Sequence, residues 1–510
     1  MVASHVNRSL PDADVCILVE GAYPFVAGGV SSWLHELLKA QDHLTFHLVA
    51  LSADNQTKQN RYELPPNVVG FTELALQEGD LATPNGPAVE ALIADLETPL
   101  TRLLEGGGLA EFKGVLEALQ RHRPAVSRSA LMNSEAAFEM IKRMYRRAAP
   151  GTSFINYFWS WRALAGGLYS TLLAPLPKAG LYHAISTGYA GLAMARAVVE
   201  TGRPGLITEH GIYTNERRIE ITMADWLTES LPASYSIGGR RRDLRDVWTQ
   251  AFQAYSRVCY EACDTITTLY TGNQVLQLRD GASPERLVII SNGIDYEAFS
   301  SIRRVTGPRP PTVALIGRAV PIKDVKTYIR AAAHLRTMVP DVRTLLIGPT
   351  EEDPDYFSEC QELVRQLGLD NTFEFTGRVN LKDYLGQIDV VVLTSISEAQ
   401  PLVLLEAGAA GIPSVATDVG SCRDILYGRS DEEPPLGPGG LVTPLANPIA
   451  TAEAVARLLQ DRSLYRQYSS AIQNRARRYY NKHTVDQMYC RLYEEHLGRP
   501  DRHRSREVVL

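Results

Sequence analysis

The sequence predicts an α/β protein of two doubly wound, Rossmann-like domains facing across a cleft, and three observations carry that expectation. At 510 residues the chain exceeds what one hydrophobic core organises, which points to two large domains or three small ones. Its second half alternates short β-branched runs, "TVALIGR", "VRTLLIGP", "TFEFTG", "DVVVLTS", "IPSVATD" and "GLVTP", with longer amphipathic stretches, the rhythm of βαβ units around a parallel sheet. The first half repeats that rhythm less cleanly through "DVCILVE", "TFHLVAL", "GLYHAIS", "PGLITEH", "DTITTLY" and "RLVIISN".

Taken in order, residues 1 to 300 form the first domain. "DVCILVE" reads as its opening strand, and Gly28 and Gly29 in "AGGVSSW" open the helix after it. Residues of about 75–147, mostly helical in pattern, and of about 214–262, which contain the Gly/Arg-rich "GGRRRDLR", read as insertions. "SFINYFWSWRALAGGLYSTLLAPLP" is long and apolar but carries Arg162 near its middle, which favours a buried helix over a membrane-contacting one. The Pro- and Gly-bearing "SSIRRVTGPRPP" suits a connector, so the boundary is placed near residue 300. Residues 301–475 form the second domain, with the near-continuously apolar "DVVVLTS" at the centre of its sheet. Residues 476–497 are expected to pack back on the first domain, and 498–510 to form a disordered tail.

Composition narrows the function. The net charge of −6, with cations scattered, offers no basic face for a nucleic-acid backbone. Six cysteines, of which only Cys259 and Cys263 stand close together, form neither a disulfide framework nor a zinc spacing. The N-terminal "MVASHVNRSLPDAD" has no apolar h-region, so a cytoplasmic protein is expected.

Ligands of doubly wound folds bind past the carboxyl ends of the strands, so polar residues there are considered first. In "SEAQPLVLLE", Glu398 follows a strand, Pro401 suits a first helical position, and Glu406 lies over a turn into the helix. A helix N-terminus attracts phosphate, and carboxylates on either side of it can accept hydrogen bonds from sugar hydroxyls. Either glutamate alone reads equally well as a dipole cap or a solvated charge. Arg318 and Lys323, in "GRAVPIKD", supply cations that could stabilise a departing diphosphate without a metal, or they are ordinary surface charges. The glycines at 28 and 29 lack the dinucleotide G-x-G-x-x-G spacing, which counts against an NAD enzyme. His210, in "TEHG", ends a strand as either a sugar-contacting or a packed residue, and His183 reads as structural.

The "GG" after the first strand, "EHG", "NGID" at 292 to 295, "GR" followed by Lys323, and the E-x7-E of Glu398 and Glu406 together resemble the GT-B retaining glycosyltransferases of family 4, over nearly the whole chain. "LVEGAYPFVAGGVSSW", "TEHGIYTNERRIEI" and "TDVGSCRDIL" are most similar to the PelF type, the cytoplasmic glycosyltransferases of Pel exopolysaccharide synthesis.

That resemblance implies a UDP-hexose donor, a growing hexosamine-rich polysaccharide as acceptor, no cofactor, and partners among inner-membrane components of a synthase. It further implies that Arg318 and Lys323 hold the diphosphate with amides near Gly29 and at Leu402 and Val403. Glu406 would take the ribose, Glu398 the hexose, and His210 the hexose or reacting centre. Val379 would lie by the uracil, and Asn292 of "NGID" by the substrate. Two departures, "EAQP" where many members carry a glycine and "ISTG" in place of a histidine-rich strand end, bear on sugar and acceptor choice. Two other readings stay open: a UDP-sugar epimerase on the same scaffold, and a non-catalytic nucleotide-sugar-binding subunit.

Overall fold

The computed structural model describes residues 13–21, 23–53, 58–76, 82–223 and 243–498. The chain divides into two compact units. The first comprises residues 1–268, 273–288 and 490–510, the second 269–272 and 289–489. The main crossover thus falls at Val288 and Ile289, ahead of the Pro/Gly connector near residue 300.

In the first unit seven strands, β1 (Ala13–Glu20), β2 (Phe46–Ser52), β3 (Val68–Ala75), β4 (Ala179–Ala184), β5 (Gly205–Glu209), β6 (Thr265–Thr268) and β7 (Leu287–Ile289), form one sheet in the order β3-β2-β1-β4-β5-β6-β7. The order runs outward both ways from β1 and β4, the doubly wound pattern. The edge strand β3 is absent from the sequence reading. Its "VVGFTELA" alternates half-buried with exposed residues and contains a glycine, so it lacks the apolar run that marks the inner strands. Gly70 is required there because a Cβ would fall 2.2 Å from Nδ1 of His47 on β2.

Helices Pro87–Leu104, Leu109–Arg121, Arg128–Asn133 and Glu135–Ala148 fill the first interruption of the strand rhythm. Their apolar faces, including Leu92, Leu96, Phe112 and Met140, join the same buried cluster as Leu18 and Val49 of the sheet. They therefore extend the core of this unit instead of hanging from it. Helix Phe154–Leu173 joins that core through Trp161, Leu164 and Leu168. No helix among the described residues is long and apolar enough to cross a membrane. Of the second insertion, helices Tyr213–Met223 and Leu244–Ala262 are seen, and "SIGGRRR" falls outside the described residues.

In the second unit β8 (Thr312–Ile316), β9 (Arg343–Ile347), β10 (Phe373–Gly377), β11 (Val390–Leu393), β12 (Ser414–Thr417) and β13 (Gly440–Thr443) form a parallel sheet in the order β10-β9-β8-β11-β12-β13. Successive residues feed opposite faces, as the period of two requires. Val313, Leu315, Val390 and Val392 enter one apolar cluster, Ala314, Val391 and Leu393 the other. The central place expected for "DVVVLTS" is that of β11, buried along its whole length.

The chain ends in helices Arg462–Tyr479 and Lys482–His496. Only from Cys490 onward does it belong to the first unit, later than the expected 476. There the His183 Nδ1 sits 2.8 Å from the Tyr493 hydroxyl, and the His496 Nε2 sits 2.9 Å from Thr265 Oγ1. Of the disordered tail expected at 498–510, all but Gly498 lies outside the described residues.

Candidate functional site

Because all six strands of the second sheet run parallel, the loops after β8, β10 and β11 leave from one edge. Those loops carry Arg318 and Lys323, Val379, and Glu398 respectively. The tightest link is between Lys323 and Glu398, whose Nζ and Oε1 lie 2.5 Å apart with both side chains largely buried. Lys323 closes the short 3-10 turn Pro321–Lys323. Thr394, just past β11, donates its hydroxyl to the Lys323 and Asp324 carbonyls, and the Ile396 amide donates to the Ile322 carbonyl. The β8 and β11 loops are thus laced together at the point where the ammonium meets the carboxylate. An ammonium has three donors, so Lys323 can keep Glu398 and still bind an anion.

Arg318 behaves differently. Its side chain is 51% exposed and its Nη1 lies 2.7 Å from Oε2 of Glu352, itself 42% exposed. Exposed pairs of this kind contribute little and exchange readily, so the guanidinium can turn to a better anion. Behind it, Gly348 adopts φ +149°, and a Cβ there would fall 2.2 Å from the Gly317 carbonyl oxygen. The ends of β8 and β9 are therefore pressed together under Arg318.

The helix expected after Glu398 runs Leu402–Ala409, with Pro401 as its N-cap, one residue earlier than the first helical position. At its start, the amides of Leu402 and Val403 have no intrahelical acceptor and are available to an oxygen-rich ligand. Glu406 is half-buried, and burial raises its carboxyl above the usual range against the pull of Lys382. No described residue donates a hydrogen bond to that carboxylate. Val379 and Val403 both pack on the apolar cluster beneath this edge.

Two supports of the "SEAQP" loop are invisible in the sequence reading. The side-chain amide of Gln400 clasps the backbone of Asn292, accepting from its N–H at 2.8 Å and donating to its carbonyl at 3.3 Å. The Asn292 Oδ1 is buried with no hydrogen-bond partner among the described residues. The Asn292 backbone therefore anchors the loop that carries Glu398. Gly293 beside it is required by close approach, since a Cβ would fall 2.5 Å from Cα of Lys482. The second support is Gly420, at φ +50°, which lies against the Glu398 and Ala399 carbonyls, while the Ser421 amide donates to Ala399 at 2.9 Å.

Gly28, Gly29 and His210 belong to the first unit. Gly28 has φ −178°, an extended conformation open to any residue, and helix Gly29–Ala40 begins after it. A Cβ at either glycine would meet nothing within 4 Å, so internal packing gives no reason for glycine there. Open space above a helix start is what a closely approaching ligand needs. Trp33 of that helix meets the His210 ring edge-to-face at 4.4 Å, and Asn273 Nδ2 donates to the His210 carbonyl.

His183 is fixed between Tyr493 and Thr208, and burial first, with the nearby His210 adding to it, lowers its pKa to about 3.

The residue before His210 is the larger surprise. Glu209 is fully buried and accepts hydrogen bonds from Tyr260 Oη at 2.6 Å, Gln277 Nε2 at 2.8 Å and Thr187 Oγ1 at 3.3 Å. Burial raises its carboxyl despite these donors. The protonated form is thus favoured in the folded state, and the stability it confers is complete below the unfolded value of 4.5 and is lost as pH rises through the folded value. Glu209→Gln is expected to flatten the fall in stability as pH rises above 4.5, read from urea midpoints. Parallel curves for the two proteins would discard this reading. Glu20, at the end of β1, is also raised by burial against Arg217, and it receives the Tyr213 hydroxyl at 3.4 Å and the Tyr189 amide at 3.2 Å.

All six cysteines are buried, and none is joined in a disulfide. Among the described residues one group, His43, Cys490 and Glu494, brings three metal-competent atoms within 4.8 Å of one another. It lies in the first unit, so it is no part of the Lys323–Glu398 site.

Comparison with known proteins accounts for nearly the whole chain. Residues 13–285 match the family described as "Domain of unknown function (DUF3492)", and residues 300–475 match "Glycosyl transferases group 1". The chain belongs to the DUF3492 family through its first half and carries a glycosyl transferases group 1 domain in its second. Among curated relatives, the chain is 34% identical over 155 residues to D-inositol 3-phosphate glycosyltransferase of Kribbella flavida, and the match spans 28% of the present chain and little more than a third of that protein, 37%.

Among solved structures it is similar to sucrose-phosphate synthase from Thermosynechococcus elongatus, with a TM-score of 0.54, 16% identity, and coverage of 94% of this chain and 98% of that one. It is similar also to Anabaena HepE, solved in complex with UDP and glucose, with a TM-score of 0.51, 14% identity, and coverage of 94% and 99%. At that identity the likeness establishes the fold, which is GT-B: two Rossmann-like α/β domains with parallel sheets.

Proposed function

We propose that this group 1 glycosyltransferase is a retaining, metal-independent enzyme of the PelF type, which moves a hexose from a UDP-sugar to a growing Pel-type exopolysaccharide. The observation that carries the reading is the Lys323–Glu398 pair at the start of helix Leu402–Ala409, on the strand edge that also bears Arg318. Cations and free amides there suit a diphosphate that gains negative charge as the anomeric C–O bond breaks. The acceptor hydroxyl oxygen forms the new bond on the same face, and its proton passes to the departing phosphate oxygen, so no protein base is required. Glu398 is assigned to hexose hydroxyls, Glu406 to the ribose, and the Val379 backbone to the base. In the first unit, His210 is assigned to the sugar, and Gly28 and Gly29 to close ligand approach. The UDP and glucose held by HepE support a UDP-sugar donor through shared fold alone.

The test is a panel of UDP-sugars followed by melting temperature and UDP release, with and without a chelator. One UDP-hexose should raise the melting temperature and give chelator-insensitive release of UDP that depends on an oligosaccharide acceptor. Epimerised free nucleotide sugar without glycoside would identify an epimerase, and binding without turnover a regulatory subunit. Glu406→Gln is expected to weaken donor binding by roughly 1–3 kcal/mol through lost hydroxyl hydrogen bonds, with turnover at saturation little changed. An unchanged donor Kd in this variant would remove the ribose role. The polymer is exported, so inner-membrane components of a synthase are proposed as partners, and co-purification with them tests this.

A further inference from the structure

The segment whose length and apolarity resembled a membrane span forms a helix, Phe154–Leu173, with two unlike faces. Tyr157, Trp161, Leu164 and Leu168 enter the core of the first unit. On the outside, Ile155 is 66% exposed and Trp159, one turn later, 62%. Neither is left isolated. Phe158 lies against Trp159 with centroids 5.4 Å apart, Phe154 lies 6.1 Å from Phe158, and Phe138 of the neighbouring helix, 41% exposed, lies about equally close to both. Four aromatic side chains thus make one continuous surface, and Ile155 lies one helical turn before Trp159 on the same helix. Burying it would be favourable, and no described residue covers Ile155 or Trp159.

The charges around this surface decide what fits it. From Glu135, where the neighbouring helix begins, to Leu173 the chain carries five basic residues and two acidic ones, although the whole chain is net negative. Arg143 and Arg147 are tied to Glu97 and Glu105. Lys142 and Arg146 follow Phe138 at successive four-residue steps on one helix face, and the Lys142 ammonium lies 5.3 Å from the Phe138 ring centroid while pairing with Glu139. Arg162 lies over Phe158 and Trp159, at 5.6 Å and 6.0 Å, with its Nη1 donating to the Met132 carbonyl. Trp and Phe side chains that enter the acyl boundary, edged by Lys and Arg at headgroup level, are the chemistry of an interfacial membrane-binding face. An acidic protein groove would satisfy the cations but would not select exposed Trp and Ile together.

We propose that the face formed by Phe138, Ile155, Phe158 and Trp159, edged by Lys142, Arg146 and Arg162, docks directly on an anionic lipid bilayer. It lies wholly within the DUF3492 half of the chain. Binding would be peripheral, since helix Phe154–Leu173 keeps its other face in the protein core, and it needs no catalytic turnover. The proposal therefore stands or falls apart from the donor-site reading.

The experiment uses the full chain and sedimentation with vesicles of phosphatidylcholine, alone or mixed with phosphatidylglycerol. The protein is expected to pellet with the mixed vesicles, less so at high salt, and to stay largely in solution with phosphatidylcholine alone. Ile155→Ser with Trp159→Ser should reduce partitioning by roughly tenfold or more with an unchanged melting temperature, because both side chains are exposed. Lys142→Glu with Arg146→Glu should abolish the preference for phosphatidylglycerol. Absence of wild-type binding, equal binding to neutral vesicles, or unimpaired pelleting of the Ile155/Trp159 variant would each overturn the proposal. So would vesicle-free self-association, seen by light scattering and lost in that variant, since the face would then join copies of the chain.

Discussion

Arg318→Ala is expected to lower turnover by about 10²–10³ while leaving the melting temperature nearly unchanged. The two halves of this expectation have different sources. The stability half follows from the structure, because the Arg318 side chain is half exposed and pairs with the exposed carboxylate of Glu352. Removing it leaves no buried charge behind. The catalytic half follows from the proposed chemistry, in which a diphosphate gains charge as it leaves and a preorganised guanidinium stabilises that charge more than it stabilises the bound donor. The loss should therefore appear in kcat more than in KM. Arg318→Lys should recover only part of it, because an ammonium cannot grip two phosphate oxygens in the fork geometry of a guanidinium. Turnover of the alanine variant within a few fold of wild type would end the assignment of Arg318 to the leaving group. Lys323→Ala is a useful contrast, since it also strips Glu398 of its partner. Its effects on stability and turnover should come together.

What sequence could and could not announce follows one physical distinction. Strands such as β11 are legible because burial on both faces demands an unbroken apolar run, a local property. The same holds for Glu398 and Glu406, whose spacing on either side of a helix start is set by a few consecutive residues. β3 escapes because an edge strand with one exposed face carries little apolar signal, and its glycine is explained only by His47 on the adjacent strand. Gln400 and Asn292 escape for a stronger reason. Each is unremarkable within its own segment, and their mutual clasp exists only once the chain has brought together residues far apart in sequence. Glu209 sits in a quoted motif yet reads as a polar strand end, because nothing nearby reveals that Tyr260 and Gln277 arrive over it. The division of the units at Val288, ahead of the visible linker, belongs to the same class, since a boundary is defined by contacts made.

Gly420→Ala is expected to cost about 2–5 kcal/mol and to remove donor binding together with stability. A left-handed conformation at φ +50° costs a residue with a Cβ roughly 1–2 kcal/mol by itself. The rest is steric. The new methyl would stand 2.1 Å from the Glu398 carbonyl oxygen and 2.5 Å from that of Ala399, both backbone atoms that cannot rotate away. Relief requires the loop after β12 to part from the loop after β11, which breaks the hydrogen bond from the Ser421 amide to Ala399. Glu398 would shift with its backbone, away from the Lys323 ammonium that it now meets. The comparison that makes this informative is Gly29→Ala, where an added Cβ meets nothing within 4 Å and stability should hold. A Gly420→Ala protein that melts like wild type and binds the donor normally would show that the two loops separate freely, and the Lys323–Glu398 pair could then not be the rigid support that the proposed site requires.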